Sequence, residues 1–238
     1  MKNSPQFFAK ITILSIFLAL FSMSSCAQKG SGNVTKKTYK VDSFDGLKIG
    51  GAFFVYLRQG DKQDVTLVTD DNIMENLEVT VNDGILKIKS GYEIKNSTEL
   101  KAFITIKDLN SLELSGACNL EGKNTIVTKN LKMKVSGASD VDMSVRCSDL
   151  NIAASGASDL KLSGDVAALE IDASGASTIK AQDLTANQAR IESSGASTVK
   201  VNVNESLDAK ASGASSILYN GKAKVTSNAS GASDVKKM

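Results

Sequence analysis

Leu150-Asn151-Ile152-Ala153-Ala154-Ser155-Gly156-Ala157-Ser158-Asp159-Leu160 is the stretch whose reading decides the fold. On either side of Ser-Gly-Ala-Ser, apolar and polar residues alternate with a period of two, the pattern of a strand with one buried face. The tripeptide Ser-Gly-Ala recurs at Ser115, Ser136, Ser155, Ser174, Ser194, Ser212 and Ser230, at spacings of 21, 19, 19, 20, 18 and 18 residues. From the second copy it extends to Ser-Gly-Ala-Ser, followed by Asp, Thr or Ser and then a branched aliphatic residue. Repetition at a fixed period is the mark of a stacked architecture.

Counting from the repeat serine, position −3 holds Met133, Ile152, Ile171, Ile191, Ala209 and Ser227, and position +5 runs from Leu120 and Val141 to Ile217 and Val235. Even positions are mostly Lys, Asp, Glu and Ser. A unit of about 19 residues cannot bury an apolar face alone, but units stacked at about 4.8 Å can. Crossovers between parallel strands are right-handed. The expected fold is therefore all-β, a right-handed parallel β-helix (solenoid) with one repeat of about 19 residues per coil. An antiparallel meander would also alternate, yet would not need identical turns at a near-constant period. Unbroken parity through the motif places the Gly at +1 and the Ser at +3 inside, with the first Ser and the Ala forming an outward ladder.

Upstream of Ser115 the repeat blurs. Leu47-Lys48-Ile49-Gly50-Gly51-Ala52 echoes Leu112-Glu113-Leu114-Ser115-Gly116-Ala117, and Asn82-Asp83-Gly84 between two alternating runs is a hairpin signal. Asp70 to Asn76 suits one helical turn. The domain is read as residues 38–238, with 38–111 an irregular N-terminal part that caps the first coil and 112–238 the regular repeats.

Residues 1–25 read as an export signal: Lys2 and Lys10, then an apolar run from Ile11 to Phe21, then small residues leading to Cys26. A cysteine in that place is similar to the lipid attachment site of bacterial lipoproteins, although Met23 stands where Leu is usual. This implies a lipid anchor on Cys26 in the outer membrane. Residues 26–37, polar and glycine-rich, read as a flexible tether. An acidic cluster after the cysteine, which resembles a surface-export tag, is missing, and this favours the periplasmic face. Of the remaining cysteines, Cys118 and Cys147 fall at different repeat offsets and are expected to be buried free thiols.

The 238 residues carry 28 basic and 26 acidic side chains; without Lys2 and Lys10 the balance is 26 to 26. No nucleic-acid footprint is visible in that balance. There is no His, which excludes His-based triads and ordinary zinc sites, and no Trp. The sole proline is Pro5, and a proline-free domain suits a sheet that needs every N–H as a donor.

Phe44-Asp45-Gly46-Leu47-Lys48-Ile49, Val55-Tyr56-Leu57-Arg58-Gln59-Gly60, Leu77-Glu78-Val79-Thr80-Val81 and Asn82-Asp83-Gly84-Ile85-Leu86-Lys87-Ile88, followed by the serial Ser-Gly turns, resemble the family of auto-transporter adhesin head GIN domains found in Bacteroidetes lipoproteins. The resemblance spans about residues 40–235 and implies a right-handed β-helix. It says little of function, because that family's biochemical role is unassigned and its name is an analogy from fold.

The outward column at +4, Asn119, Asp140, Asp159, Thr178, Thr198, Ser216 and Asp234, is the candidate ligand ladder, able to pair with sugar hydroxyls or a cation; equally, these are residues favoured in turns. Asp140, Asp142 and Asp159 are the calcium candidates, though the nonapeptides of calcium-binding β-rolls are missing. Catalysis is not expected: Arg146 and Arg190 lie in non-adjacent repeats at different offsets, and no carboxylate pair recurs beside either. No cofactor is expected. Two roles follow, a non-catalytic binding module for glycan or envelope protein, or a structural protein that self-associates end to end through its final coil.

Overall fold

The computed structural model describes residues 27–238; the signal segment 1–25 and Cys26 lie outside the described residues. The molecule is a parallel β-solenoid. One wall, termed wall A, stacks Ile85–Ser90, Gly46–Gly51, Ser111–Gly116 and Asn130–Val135, continues through the second halves of four long strands, and ends at Lys224–Ala229. Wall B stacks Leu100–Ile106, Phe54–Gln59 and Asn119–Gly122, then the first halves of the same long strands, then Ser216–Gly221 and Asp234–Lys237. A third, shorter run of pairs links 126–127, 145–146 and 163–166 onward. The long strands are Asp140–Ala154, Asp159–Ala173, Thr178–Ser193 and Thr198–Ala211. Each is most of one coil, interrupted only by the Ser-Gly-Ala-Ser corner.

The inward columns form the core. Leu131, Leu150 and Leu169 stack in one, Met133, Ile152, Ile171 and Ile191 in the next, and Val141, Leu160, Ile179, Val199 and Ile217 beyond the corner, all buried. Each such side chain stabilises the fold by roughly 1.5–3 kcal/mol relative to exposure. Each coil alone leaves this surface open, so the stack is held by neighbour-to-neighbour burial and by the parallel ladder.

The corner explains the motif. The Ser at +3 is buried as expected, in Ser139, Ser158, Ser177, Ser197 and Ser215. Its hydroxyl donates back to the carbonyl of the motif's first Ser: Ser158 Oγ to Ser155 O at 3.0 Å and Ser177 Oγ to Ser174 O at 2.7 Å are typical. The Ala at +2 is exposed, while its N–H donates to the Gly carbonyl one coil back, at 2.7 Å for Ala157 to Gly137. The expectation that the Gly faces inward is corrected: it is exposed at the corner. Its φ lies between 71° and 94° in all seven copies, and a Cβ there would run into the backbone of the glycine one coil back. Glycine is thus required by a left-handed turn and by close coil-to-coil approach, not by a crowded interior.

The N-terminal part is a cap with an inverted layer order. Leu47 pairs with Leu112 and Gly51 with Gly116, so the two echoing segments are neighbours in register. On its other side Gly46–Gly51 carries Ile85–Ser90, which comes later in the chain. The layer made by 85–106 therefore lies outside the first coil and is itself covered. Leu77–Asn82 runs antiparallel to Ile85–Ser90 through a turn at Asp83 (φ 52°) and Gly84 (φ 73°). Asp64–Asp70 and Val34–Tyr39 extend wall B antiparallel beyond Leu100–Ile106. One helical turn spans Asp71–Met74. No helix among the described residues is long and apolar enough to cross a membrane.

Where the sequence suggested a tether at 26–37, the described part is largely strand. Ala27–Lys29 pairs with Glu93–Asn96, and Val34–Tyr39 pairs with Asp64–Asp70. The segment between them is tied down by the fully buried Asp70, whose carboxylate accepts from Gly32 N–H at 2.7 Å, Thr98 N–H at 2.8 Å and the Thr98 hydroxyl at 2.9 Å. Gly30 is there for fit, since a Cβ on it would meet that carboxylate, whereas Gly32 supplies a positive φ of 87°.

Candidate binding faces

The +4 column is assembled in register as expected, Asn119 to Asp140, Asp159, Thr178, Thr198, Ser216 and Asp234, one residue per coil on the outside of wall B. Two of its three acidic members are engaged within the sheet. Asp159 takes Lys180 Nζ at 2.8 Å and Asp234 takes Lys236 at 2.7 Å, while the adjacent Asp142 takes Lys161 at 3.0 Å. Asp142 and Asp159 thus face lysines, and among the described residues no three Asp, Glu, His or Cys side chains group to hold a metal ion. The calcium candidates Asp140, Asp142 and Asp159 do not form a cage.

Wall A is different. Shallow recesses lie along its outer side, from Leu47 and Ile85 near the cap to Thr226 and Ser230 in the last coil, and these include no residue of the +4 ladder. Their cause is readable. Alternate residues of wall A point outward in straight columns, and two of these columns are interrupted by alanine. Ala168 stands between Asp149 and Gln188, and Ala153 between Lys134 and Asp172. A methyl group between longer neighbours leaves a hollow, and both alanines line recesses.

One of these recesses, of about 520 Å³, is lined in part by Arg190. The register sets Glu170 on one side of Arg190 and Asp208 on the other. Arg190 Nη2 donates to Glu192 at 2.9 Å, and Glu192 also accepts from Lys210 at 3.2 Å. The Arg190 hydrogen bond and Lys210 hold the Glu192 carboxyl below its usual range, and Glu192, Asp208 and Glu170 raise the Arg190 pKa. Asn151, Gln188, Ser206 and Thr226 add amides and hydroxyls to the lining. The expectation that no carboxylates gather beside Arg190 is thereby corrected; the stacking register brings together residues from three coils. Arg146 stands apart from it, on the third run of pairs, opposite Asp165 at 3.9 Å.

Cys118 and Cys147 are free and buried, as expected from their offsets. Cys118 occupies the +3 place of the first motif, and its thiol donates to Ser115 O at 3.5 Å as the later serines do. Burial pushes both thiols up, with Asp149 adding to the effect on Cys147, which reaches about 11.

These faces and this fold define a solenoid repeat protein whose accessible surfaces are long and in register rather than enclosed. The chain belongs to the family described as "Putative auto-transporter adhesin, head GIN domain", whose model matches residues 43–223. Among solved structures it is similar to a putative adhesin from Bacteroides fragilis NCTC 9343, with 27% identity and a TM-score of 0.85 over 89% of this chain and 100% of that one. The fold is shared with a putative adhesin from Parabacteroides merdae ATCC 43184 (18% identity, TM-score 0.73, 89% and 99% covered). It is shared too with a protein from Parabacteroides distasonis ATCC 8503 described as lipid binding (18% identity, TM-score 0.72, 89% and 99% covered). Among curated proteins none matches this chain.

Proposed function

We propose that this chain is a non-catalytic, adhesin-like module of the cell envelope, attached to the outer membrane by lipid on Cys26, and that it contacts glycan along the outer side of wall A. The observation that carries the reading is the open recess of about 520 Å³ on that wall, lined by Arg190, Glu170, Asp208, Asn151 and Gln188 from successive coils. Amide, carboxylate, guanidinium and hydroxyl groups in one open trough are the chemistry that pairs with the vicinal hydroxyls of a sugar chain. A trough that crosses several coils suits an extended polymer better than a small molecule, which favours enclosed pockets.

A binding role is favoured over catalysis because the matching family and a similar solved structure are described as putative adhesins. End-to-end assembly is less favoured because two inward columns turn polar in the last coil, Ile191 giving way to Ala209 and Ser227, and Val201 to Tyr219 and Lys237, although Val225 and Val235 continue apolar columns beside them. A second copy stacked there would bury a hydroxyl and an ammonium group.

A glycan array probed with the purified chain tests the reading. Retention on a defined set of polysaccharides, lost in Arg190→Ala, is the expected result. Retention of none, or retention indifferent to Arg190, contradicts it.

A further inference from the structure

The first described residues are fixed to the cap from the outset. Ala27 pairs with Glu93, Gln28 with Ile94 and Lys29 with Asn96. The Gln28 side-chain amide donates to Asn72 O at 2.9 Å, and Asn72 Nδ2 returns a bond to Lys29 O at 2.8 Å. Ser31 N–H then donates to Asn72 Oδ1 at 3.0 Å, just before the Asp70 clamp. Ala27 is thus in the sheet, and one residue spans at most about 3.6 Å of chain. The same edge bears Tyr92, which is 52% exposed, and the exposed Lys29, Glu93 and Lys95.

We infer that the edge formed by Ala27–Lys29 and Tyr92–Asn96 is a membrane-apposed surface, whose partner is the headgroup layer of the bilayer that holds the lipid on Cys26. The inference rests on the lipid-anchor reading above and adds to it an orientation. Acyl chains on Cys26 draw Ala27 to the polar layer, because no slack lies between them. Tyrosine suits that layer, with an apolar ring and a polar tip, and lysines complement anionic headgroups. Wall A makes eight successive pairings from Ile85–Ser90 to Lys224–Ala229. At about 4.8 Å each, the last coil stands about 38 Å beyond the first layer. The far end of the recessed wall is thereby held away from the bilayer like a short mast.

The chain has no Trp, so a single substitution supplies a unique fluorophore. Tyr92→Trp and, in the exposed last coil, Asn228→Trp are purified as the full lipidated protein. Each is reconstituted in phosphatidylethanolamine–phosphatidylglycerol vesicles carrying a lipid brominated near the headgroup. Loss of emission for Tyr92→Trp with none for Asn228→Trp is the expected result. Retained emission in both variants, with the protein still sedimenting with the vesicles, overturns the inference, as does equal quenching of both. An N-terminal peptide without acyl mass, in protein that fails to sediment, overturns the anchor reading itself and is recognised separately by mass spectrometry.

Discussion

The motif glycine and the motif's second serine fill different needs, and their substitutions should separate. Gly156 has φ 78°, and its missing Cβ would meet the backbone of Gly137. Gly156→Ala combines left-handed strain, roughly 1–3 kcal/mol, with forced separation of two coils. Ser158→Ala removes one hydroxyl donor, about 1 kcal/mol, and leaves the corner geometry intact. Urea denaturation should therefore rank Gly156→Ala well below Ser158→Ala in stability; equal losses would contradict this account of the corner. The thiols give a second test at this scale. With a pKa of about 11, Cys147 is almost wholly protonated at pH 8 and should resist a disulfide reagent. Cys118 and Cys147 should then react together only on unfolding, and reaction of Cys147 in the folded protein would contradict its burial.

At the scale of elements, the regular coils were legible because period-two alternation, the −3 and +5 aliphatics and the turn motif all point to one register. The hairpin at Asn82-Asp83-Gly84 was legible for the same kind of reason, since its residues suit two positive φ values in succession. The cap's layer order was not. That residues 85–106 would stack outside residues 46–59 depends on long-range pairing, and alternation within a strand carries no record of its partner. The docked N-terminus is not legible in its polar, glycine-rich composition, which suits a tether equally well; Gly30 fits closely against a buried carboxylate, and Gly32 supplies a φ of 87° and an N–H to it. That carboxylate makes a pH prediction. Burial opposes ionisation of Asp70, but hydrogen bonds from Thr98 and Gly32 outweigh it and hold its pKa below the ordinary value. The stability it supplies is complete above the unfolded pKa, about 3.9, and is lost as pH falls through the lower folded value. Hydrogen exchange at 30–33 and 97–98 should accelerate below about pH 4 ahead of the regular coils. Asp70→Asn should reproduce that acceleration at pH 7. Uniform exchange across cap and coils on acidification would contradict the clamp.

At the scale of the whole molecule, the most conspicuous column in the sequence is not the most hospitable surface. The +4 ladder is straight and flat, and several of its charges are paired within the sheet. Part of the relief of wall A is written in the sequence as two alanines, Ala153 and Ala168, at outward positions where neighbouring coils carry longer side chains. That signal becomes meaningful once the register sets those coils side by side. The central claim is that wall A is the binding face and wall B is scaffold. Its most direct measurement is the affinity of the purified chain for a captured polysaccharide in three forms: wild type, Ala168→Lys with Arg190→Ala on wall A, and Thr178→Val with Thr198→Val on the ladder. The account predicts that the wall A pair loses binding while the ladder pair retains it, with both variants keeping the wild-type unfolding midpoint. Loss confined to the ladder pair would contradict it.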